Sequence, residues 1–356
     1  MSPDIIPHHV GIIGTGRIAR LHAATLREIE NAHLVGVFDK DATCARQFAK
    51  EHHCRSFTHV EALLEAIDAV IIAVPNCFHR DYVLRSINAE RHILCEKPMA
   101  ENLASAQAMF EAKPSHLIGT IGFNYRFLPI VDIIHKTLAS GTLGDILAFD
   151  AAFLKDSARR RTQFNWRDGP EQHGSSGSLG DLGSHLIDMA CNLFNTSIDE
   201  SSLSGTLQTH VRFKENKPVC VDDYAHVVCR LACGIPFTLT TSKSASAPDL
   251  GVRITIKGTH RSLLYETQTP LHWSMTDNAT GHTSTMVLPH QRHHADPAGE
   301  IFGWADSMHC QMRSWLSAIT TLSPLPQSAN FSDGVRVQRA LQAMLNTLPQ
   351  EEQYRN

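Results

Sequence analysis

Two glycines, Gly14 and Gly16, separate a continuous apolar run at residues 10–13 from an amphipathic stretch at residues 17–29. Gly14-Thr15-Gly16-Arg17-Ile18-Ala19 fits the pattern G-x-G-x-x-A at a strand-to-helix turn. Gly14 permits the tight turn, Gly16 lets the main chain approach a pyrophosphate, and Ala19 allows close helix–strand packing. The helix start then aims free N–H groups at an anion. The chain keeps this rhythm: residues 34–39, 69–74, 92–95 and 117–123 read as strands, and 42–50, 62–67 and 82–89 as helices. Continuous apolar strands alternating with amphipathic helices imply a parallel sheet covered on both faces. Residues 1–123 are therefore expected to form a doubly wound, Rossmann-type domain.

Beyond residue 123 the pattern changes. Residues 129–139 and 180–194 read as helices, and from about 203 to 290 the chain reads mainly as strands: 219–221, 225–231, 237–241, 252–256, 262–265 and 283–288. Cys233-Gly234 and Lys257-Gly258 mark turns. Helices over 304–322 and 333–348 close the sequence. Strands in series imply an antiparallel sheet, so residues 124–356 are expected to be an α+β domain. The expected class is α/β overall, and 356 residues suit two domains.

Lys plus Arg is 32 against 36 for Asp plus Glu, with no long basic run, which excludes the electrostatic footprint of a nucleic-acid or anionic-membrane binder. No apolar run approaches a membrane span. The first nine residues lack a basic segment followed by an apolar one, so no signal peptide is expected. Nine scattered cysteines argue against a disulfide framework and for a reducing compartment, the cytoplasm.

Asp39 ends the second strand, twenty residues beyond Ala19, where an acid accepts hydrogen bonds from an adenosine ribose. It repels a 2′-phosphate and favours NAD; Lys40 beside it partly offsets the carboxylate and leaves NADP open. Asp41 is the better candidate for a helix cap. Pro75-Asn76 and Glu96-Lys97-Pro98 also follow strands, and ligands of open α/β sheets bind beyond the carboxyl ends of strands. The isomer of the Lys97–Pro98 bond is left open.

These residues resemble the family of glucose–fructose oxidoreductase and inositol dehydrogenases (Gfo/Idh/MocA). The resemblance rests on residues 11–22, then 73–79, Cys95-Glu96-Lys97-Pro98, the segment 122–127, and residues 180–188, which read G-D-L-G-S-H-L-I-D. It implies a nucleotide-binding domain joined to an α+β domain with a large, mostly antiparallel open sheet, and hydride exchange between nicotinamide and a secondary alcohol or ketone of a sugar, polyol or inositol. Lys97, Asp181 and His185 match the family's catalytic positions. Arg17, Ile18, Asn76, His79 and Glu96 match positions along the cofactor, and Arg126 one that reaches cofactor or substrate. The open sheet implies a homodimer or homotetramer. Residues 174–177 replace a more glycine-rich approach to the helix.

Those residue types suit the chemistry. Alcohol oxidation also releases a proton, and a histidine titrates near working pH. Asp181 and His185 stand four apart on an expected helix and share one face. Asp188 and Asn192 extend that polar stripe, so Asp181 and His185 are not expected in the core; an ordinary solvated helix face is the plainer alternative. Lys97 can polarise the reacting hydroxyl. Lys155, Asp156, Trp166, Arg167 and His173 are polar candidates for substrate contact, against the alternative of a surface loop. Arg159-Arg160-Arg161 reads as a solvated stretch that could also clamp an anion. His290, His293, His294 and Asp296 lie on a loop and no metal is expected. Cys229 and Cys233 are expected to be buried thiols. Two other activities fit the same motifs: a redox-neutral NAD-dependent glycosidase or lyase, and a non-catalytic NAD-binding regulator.

Overall fold

In the computed structural model, which describes residues 7–169, 177–289, 293–297 and 300–349, the apolar run before the glycines is β1 (His8–Ile13), buried at every position but one. β2 (Ala32–Phe38), β3 (Arg55–Phe57), β4 (Ala69–Ile72), β5 (His92–Cys95) and β6 (Gly119–Ile121) join it in the order β3-β2-β1-β4-β5-β6. Every neighbouring pair is parallel. Parallel neighbours need long crossovers, and α1 (Arg17–Leu26), α2 (Ala42–His52), α3 (Val60–Glu65), α4 (His79–Asn88) and α5 (Leu103–Ala112) supply them. The strand order reverses between β1 and β4, the switch point of the expected doubly wound sheet. β3, at three residues, is too short to leave a readable apolar run. α2 is capped by Asp41, whose carboxylate accepts the N–H groups of Thr43 and Cys44, as the sequence suggested.

The other sheet has eight strands. β7 (Ile146–Leu154) lies at its middle, and with β8 (Ile198–Gln208), β11 (Tyr224–Leu231), β12 (Pro236–Ser242), β13 (Gly251–Gly258), β14 (Arg261–Glu266), β15 (His272–Asp277) and β16 (Thr283–Val287) it forms the order β16-β15-β14-β13-β7-β12-β11-β8. β9 (Phe213–Lys214) and β10 (Lys217–Pro218) make a separate small hairpin. Only β7 and β12 pair in parallel; the sheet is otherwise antiparallel, as expected. Val219 and Val221 are buried but lie outside any strand, against the expectation for 219–221. β7 escaped the sequence pattern because eight of its nine residues are apolar, so nothing alternates.

One face of this sheet is the core. Phe149, Ala151 and Phe153 of β7, Phe237 and Leu239 of β12, Val227 of β11 and Ile254 of β13 are all buried there. Phe149 stacks on Phe237 with centroids 5.2 Å apart. The opposite face carries smaller or polar residues, among them Ala148, Ala152, Thr238, Thr240 and the exposed Val228. α6 (Pro129–Ala139), the short α7 (Ser157–Arg160) and α8 (Ser184–Leu193) belong to the same unit, and α8 is buried at nine of its ten positions.

The chain closes with α9 (Trp304–Thr321) and α10 (Phe331–Thr347). One compact unit holds the residues through Asn124 together with Ser307–Val335; the second holds Tyr125–Asp306 and the chain from Arg336 onward. The expected division left 124–356 wholly in the second domain, and Ser307–Val335 depart from it. The reason is apolar. Met312, Trp315, Leu316 and Ile319 of α9 share one cluster with Val10 and Ile12 of β1, Ala19 and Ala23 of α1, and Phe48 of α2. Trp315 is fully buried in it. Among the described residues no helix is long and apolar enough to cross a membrane.

Candidate active site

In the first unit the chemistry gathers at the carboxyl edge of the parallel sheet. Gly14 follows β1 with φ of 102°, a conformation that disfavours any side chain, and a Cβ there would collide with the Ala73 carbonyl. Gly16 caps α1 without a side-chain hydrogen bond, no acid occupies the first turn, and a Cβ on Gly16 would meet nothing within 4 Å. The turn is therefore open above Gly16, and with Arg17 and Ile18 beginning the helix it fits a dinucleotide pyrophosphate. Asp39, just past β2, is held from two sides: Oδ2 accepts the Thr15 hydroxyl at 2.7 Å and Oδ1 the Asp41 N–H at 2.9 Å. Lys40 turns to the ring of Phe78, 5.3 Å from its centroid.

Pro75 and Asn76 follow β4, and Glu96 and Lys97 follow β5, on the same edge. The Lys97–Pro98 bond is cis. Two residues assigned along the cofactor face inward instead. The His79 imidazole is wholly buried, within 2.9 Å of the Val74 carbonyl and 3.2 Å of those of Pro98 and Met99. Burial pushes its pKa down, against those carbonyl bonds. A ring so placed braces the two loops from beneath. Glu96 meets His22 of α1, Nε2 to Oε1 at 2.7 Å, with the His22 side chain 0% and the Glu96 side chain 10% exposed. Burial alone raises the Glu96 carboxyl, but the hydrogen bond and charge of His22, with Lys97 adding to them, bring it below the usual carboxylate range. His22 had no role in the sequence reading; its helical spacing, three residues past Ala19 on the sheet-facing side, was the available signal.

In the second unit Asp181 lies in a wide, π-type turn, Leu179–Gly183, that leads into α8. Such turns recur at functional sites. Asp222 builds this one: its carboxylate accepts the Gly177 N–H at 2.7 Å, the Ser178 hydroxyl at 2.6 Å and the Leu179 N–H at 2.8 Å. A Cβ on Gly177 would strike the Asp222 carbonyl, so the close approach needs glycine. Asp181 Oδ2 pairs with Lys243 Nζ at 2.8 Å. His185, a turn further on, is only 6% exposed, which corrects the expectation that it lies outside the core. It stacks on Tyr125 with centroids 4.1 Å apart and planes at 18°, with Phe153 beyond. Burial, and the charges of Glu300 and Asp181, push the Tyr125 hydroxyl well above its ordinary value. The polar stripe of α8 is likewise internal: Asp188 receives Arg126 in a fork of 2.8 and 2.6 Å, and Asn192 meets His135 at 3.0 Å. A buried helix keeps polar residues by pairing them.

Several substrate candidates are engaged within the second unit. Arg126 is spent on Asp188, and Lys155 pairs with Glu300 at 2.9 Å while lying over Phe153. Arg167 stacks on Trp166 at 4.2 Å. Arg160 and Arg161 pair with Asp156 and Asp168, so the arginine run is not a free clamp. His173 and residues 174–176 lie outside the described residues, as does His290. His294 pairs with Asp306 at 2.5 Å, and Asp296 accepts the N–H groups of Gly303 and Ala305; both serve the start of α9. All nine cysteines are free, with Cys229 buried and pushed up to about 12, whereas Cys233 is exposed on the turn after β11.

Residues 8–117 match the model of an oxidoreductase family's NAD-binding Rossmann fold (Gfo/Idh/MocA), and residues 135–351 match that family's C-terminal alpha/beta domain. The chain is 37% identical to the glucose-6-phosphate 3-dehydrogenase of Bacillus subtilis (strain 168), over 94% of each chain. It is 30% identical to scyllo-inositol 2-dehydrogenase (NADP(+)) of the same organism over 53% of this chain and 58% of that one. A levoglucosan dehydrogenase solved with NADH and levoglucosan superposes with a TM-score of 0.85 at 23% identity, covering 96% of both chains.

Proposed function

The chain belongs to the Gfo/Idh/MocA oxidoreductase family, and from that premise we propose that it oxidises a secondary alcohol of a pyranose or its phosphate, with NAD as hydride acceptor. The sequence relatives include sugar and polyol dehydrogenases. What carries the reading is the carboxyl edge of the first sheet, where a dinucleotide turn open above Gly16, the fixed Asp39 and Lys97 occur together. Glucose 6-phosphate is the first substrate to try, from the relative matched over 94% of the chain.

When bound, the dinucleotide supplies the hydride acceptor. The rest falls to this chain. The N–H groups at the start of α1 bind the pyrophosphate, and Asp39, fixed by Thr15 and Asp41, accepts the ribose hydroxyls. Lys97 donates a hydrogen bond to the reacting hydroxyl and stabilises its alkoxide character. The His185 imidazole takes the proton. Asp181 orients the substrate and tunes His185. Nine free thiols support a reducing compartment, the cytoplasm. The open face of the eight-stranded sheet, with Val228 exposed, supports assembly into a homodimer or homotetramer.

The test is a panel of glucose 6-phosphate, glucose, inositols, sugar acids and 3-keto sugars, scored in both directions with NAD and NADP by the absorbance of the reduced cofactor. Lys97→Met and His185→Ala should each lose at least about a hundredfold in turnover while still binding NADH. Near-normal turnover in both variants refutes the assignment. Absence of net cofactor reduction or oxidation with every compound refutes the dehydrogenase itself.

A further inference from the structure

We propose that Lys243 is a positioning residue that fixes the charge and aim of Asp181, and through it the placement of the substrate. The proposal rests on the role given to Asp181 above. Lys243 follows the last residue of β12, and its main chain is clamped from two sides. Its N–H donates to the Asp223 carbonyl at 2.7 Å, and its own carbonyl accepts the Ala158 N–H at 2.7 Å. Its side chain is 10% exposed and runs inward to Asp181.

A buried ammonium requires a counter-charge. Among the described residues, the charged groups that act on it most are Asp181, Arg167 and Asp222. Arg167 has the same sign. The Asp222 carboxylate is occupied by Gly177, Ser178 and Leu179. Asp181, with 31% of its side chain exposed, is the carboxylate at ion-pair distance and the one that also reaches outward. Burial pushes the Lys243 ammonium down, and Asp181 opposes this.

Both partners stand on fixed backbone: Lys243 through Asp223 and Ala158, Asp181 through the turn that Asp222 holds. A pair anchored at both ends sets a direction as well as a charge. The same carboxylate is felt at the Tyr125 hydroxyl, and Tyr125 stacks on His185.

Four proteins test this: the parent, Lys243→Met, Asp181→Asn and the double variant, with Lys243→Gln as replacement if the methionine variant does not fold. Each is assayed with glucose 6-phosphate and NAD, or with the most active compound of the panel. Lys243→Met should lower kcat/KM about tenfold or more in the parent, and raise the acid limb of its pH profile by about one unit. In the Asp181→Asn background the same change should alter kcat/KM less than about twofold, because a residue acting through Asp181 has nothing left to act on. Equal losses in both backgrounds, or an unmoved acid limb, overturn the proposal.

Melting temperatures provide a readout independent of activity. Lys243→Met should raise the melting temperature of Asp181→Asn, since it removes a buried cation that has lost its partner, and should not raise that of the parent. An equal shift in both overturns the pairing. Parental activity in Asp181→Asn, with the melting pattern as expected, instead overturns the catalytic role of Asp181 and leaves the pair standing.

Discussion

Replacing His22 by leucine should destabilise the protein by an amount that shrinks as the pH falls. His22 and Glu96 form a buried pair at 2.7 Å, and the Glu96 carboxylate also accepts the Lys97 N–H at 3.3 Å. Breaking a buried pair by removing one partner costs about 3–5 kcal/mol, because a charge is left uncompensated. The carboxylate can escape by taking up a proton. From an unfolded value of about 4.3, protonation costs about 3.7 kcal/mol at pH 7 and about 1.0 kcal/mol at pH 5. The deficit is capped near those figures. In the parent the folded Glu96 titrates below its unfolded value, so its contribution is present above that value and lost only as pH falls through the lower, folded one. At pH 5 the parent keeps its pair while the variant protonates at little cost. For a chain of 356 residues one kcal/mol moves the midpoint by roughly 1.3 °C, so the melting temperature should fall by about 5 °C at pH 7 and about 1 °C at pH 5. Differential scanning fluorimetry of both proteins across this range measures it. A deficit that is constant, or grows toward pH 5, refutes the reasoning.

Asp39→Ser should raise the ratio of NADP to NAD use about tenfold or more, since it removes the charge that repels a 2′-phosphate; kcat/KM with each cofactor measures it. Gly14→Ala should cost about 1–2 kcal/mol for the left-handed backbone, with a further loss as the Ala73 carbonyl is displaced, and should weaken NADH binding; fluorescence titration of NADH and a melting curve check the two effects.

The first sheet was readable because its strands are buried on both faces and leave unbroken apolar runs, as in residues 69–74. The glycine turn and the Asp41 cap were readable because each answers a local backbone demand. β7 was not, since its composition gives no alternation, and the return of α9 to the first unit was not, since nothing in an amphipathic stripe says which sheet it covers. The burial of His185 and Asp188 was hidden for a related reason. A polar stripe on a helix looks solvated until its partners, Tyr125 and Arg126, arrive from another segment. Lys243 and Asp222 were missed because pairing across 62 and 45 positions in sequence, to Asp181 and Gly177, leaves no local pattern.

The discontinuity of the first unit bears on how the protein is made. On the ribosome the nucleotide-binding half emerges early, yet Met312, Trp315, Leu316 and Ile319, which complete its core, are translated only after the whole eight-stranded sheet. Contacts at such sequence separation form late and slowly. Until α9 is synthesised, the nascent first sheet carries a bare apolar patch beside α1 and α2, a surface of the kind that chaperones hold. Completion of the first unit's core therefore waits on translation of α9.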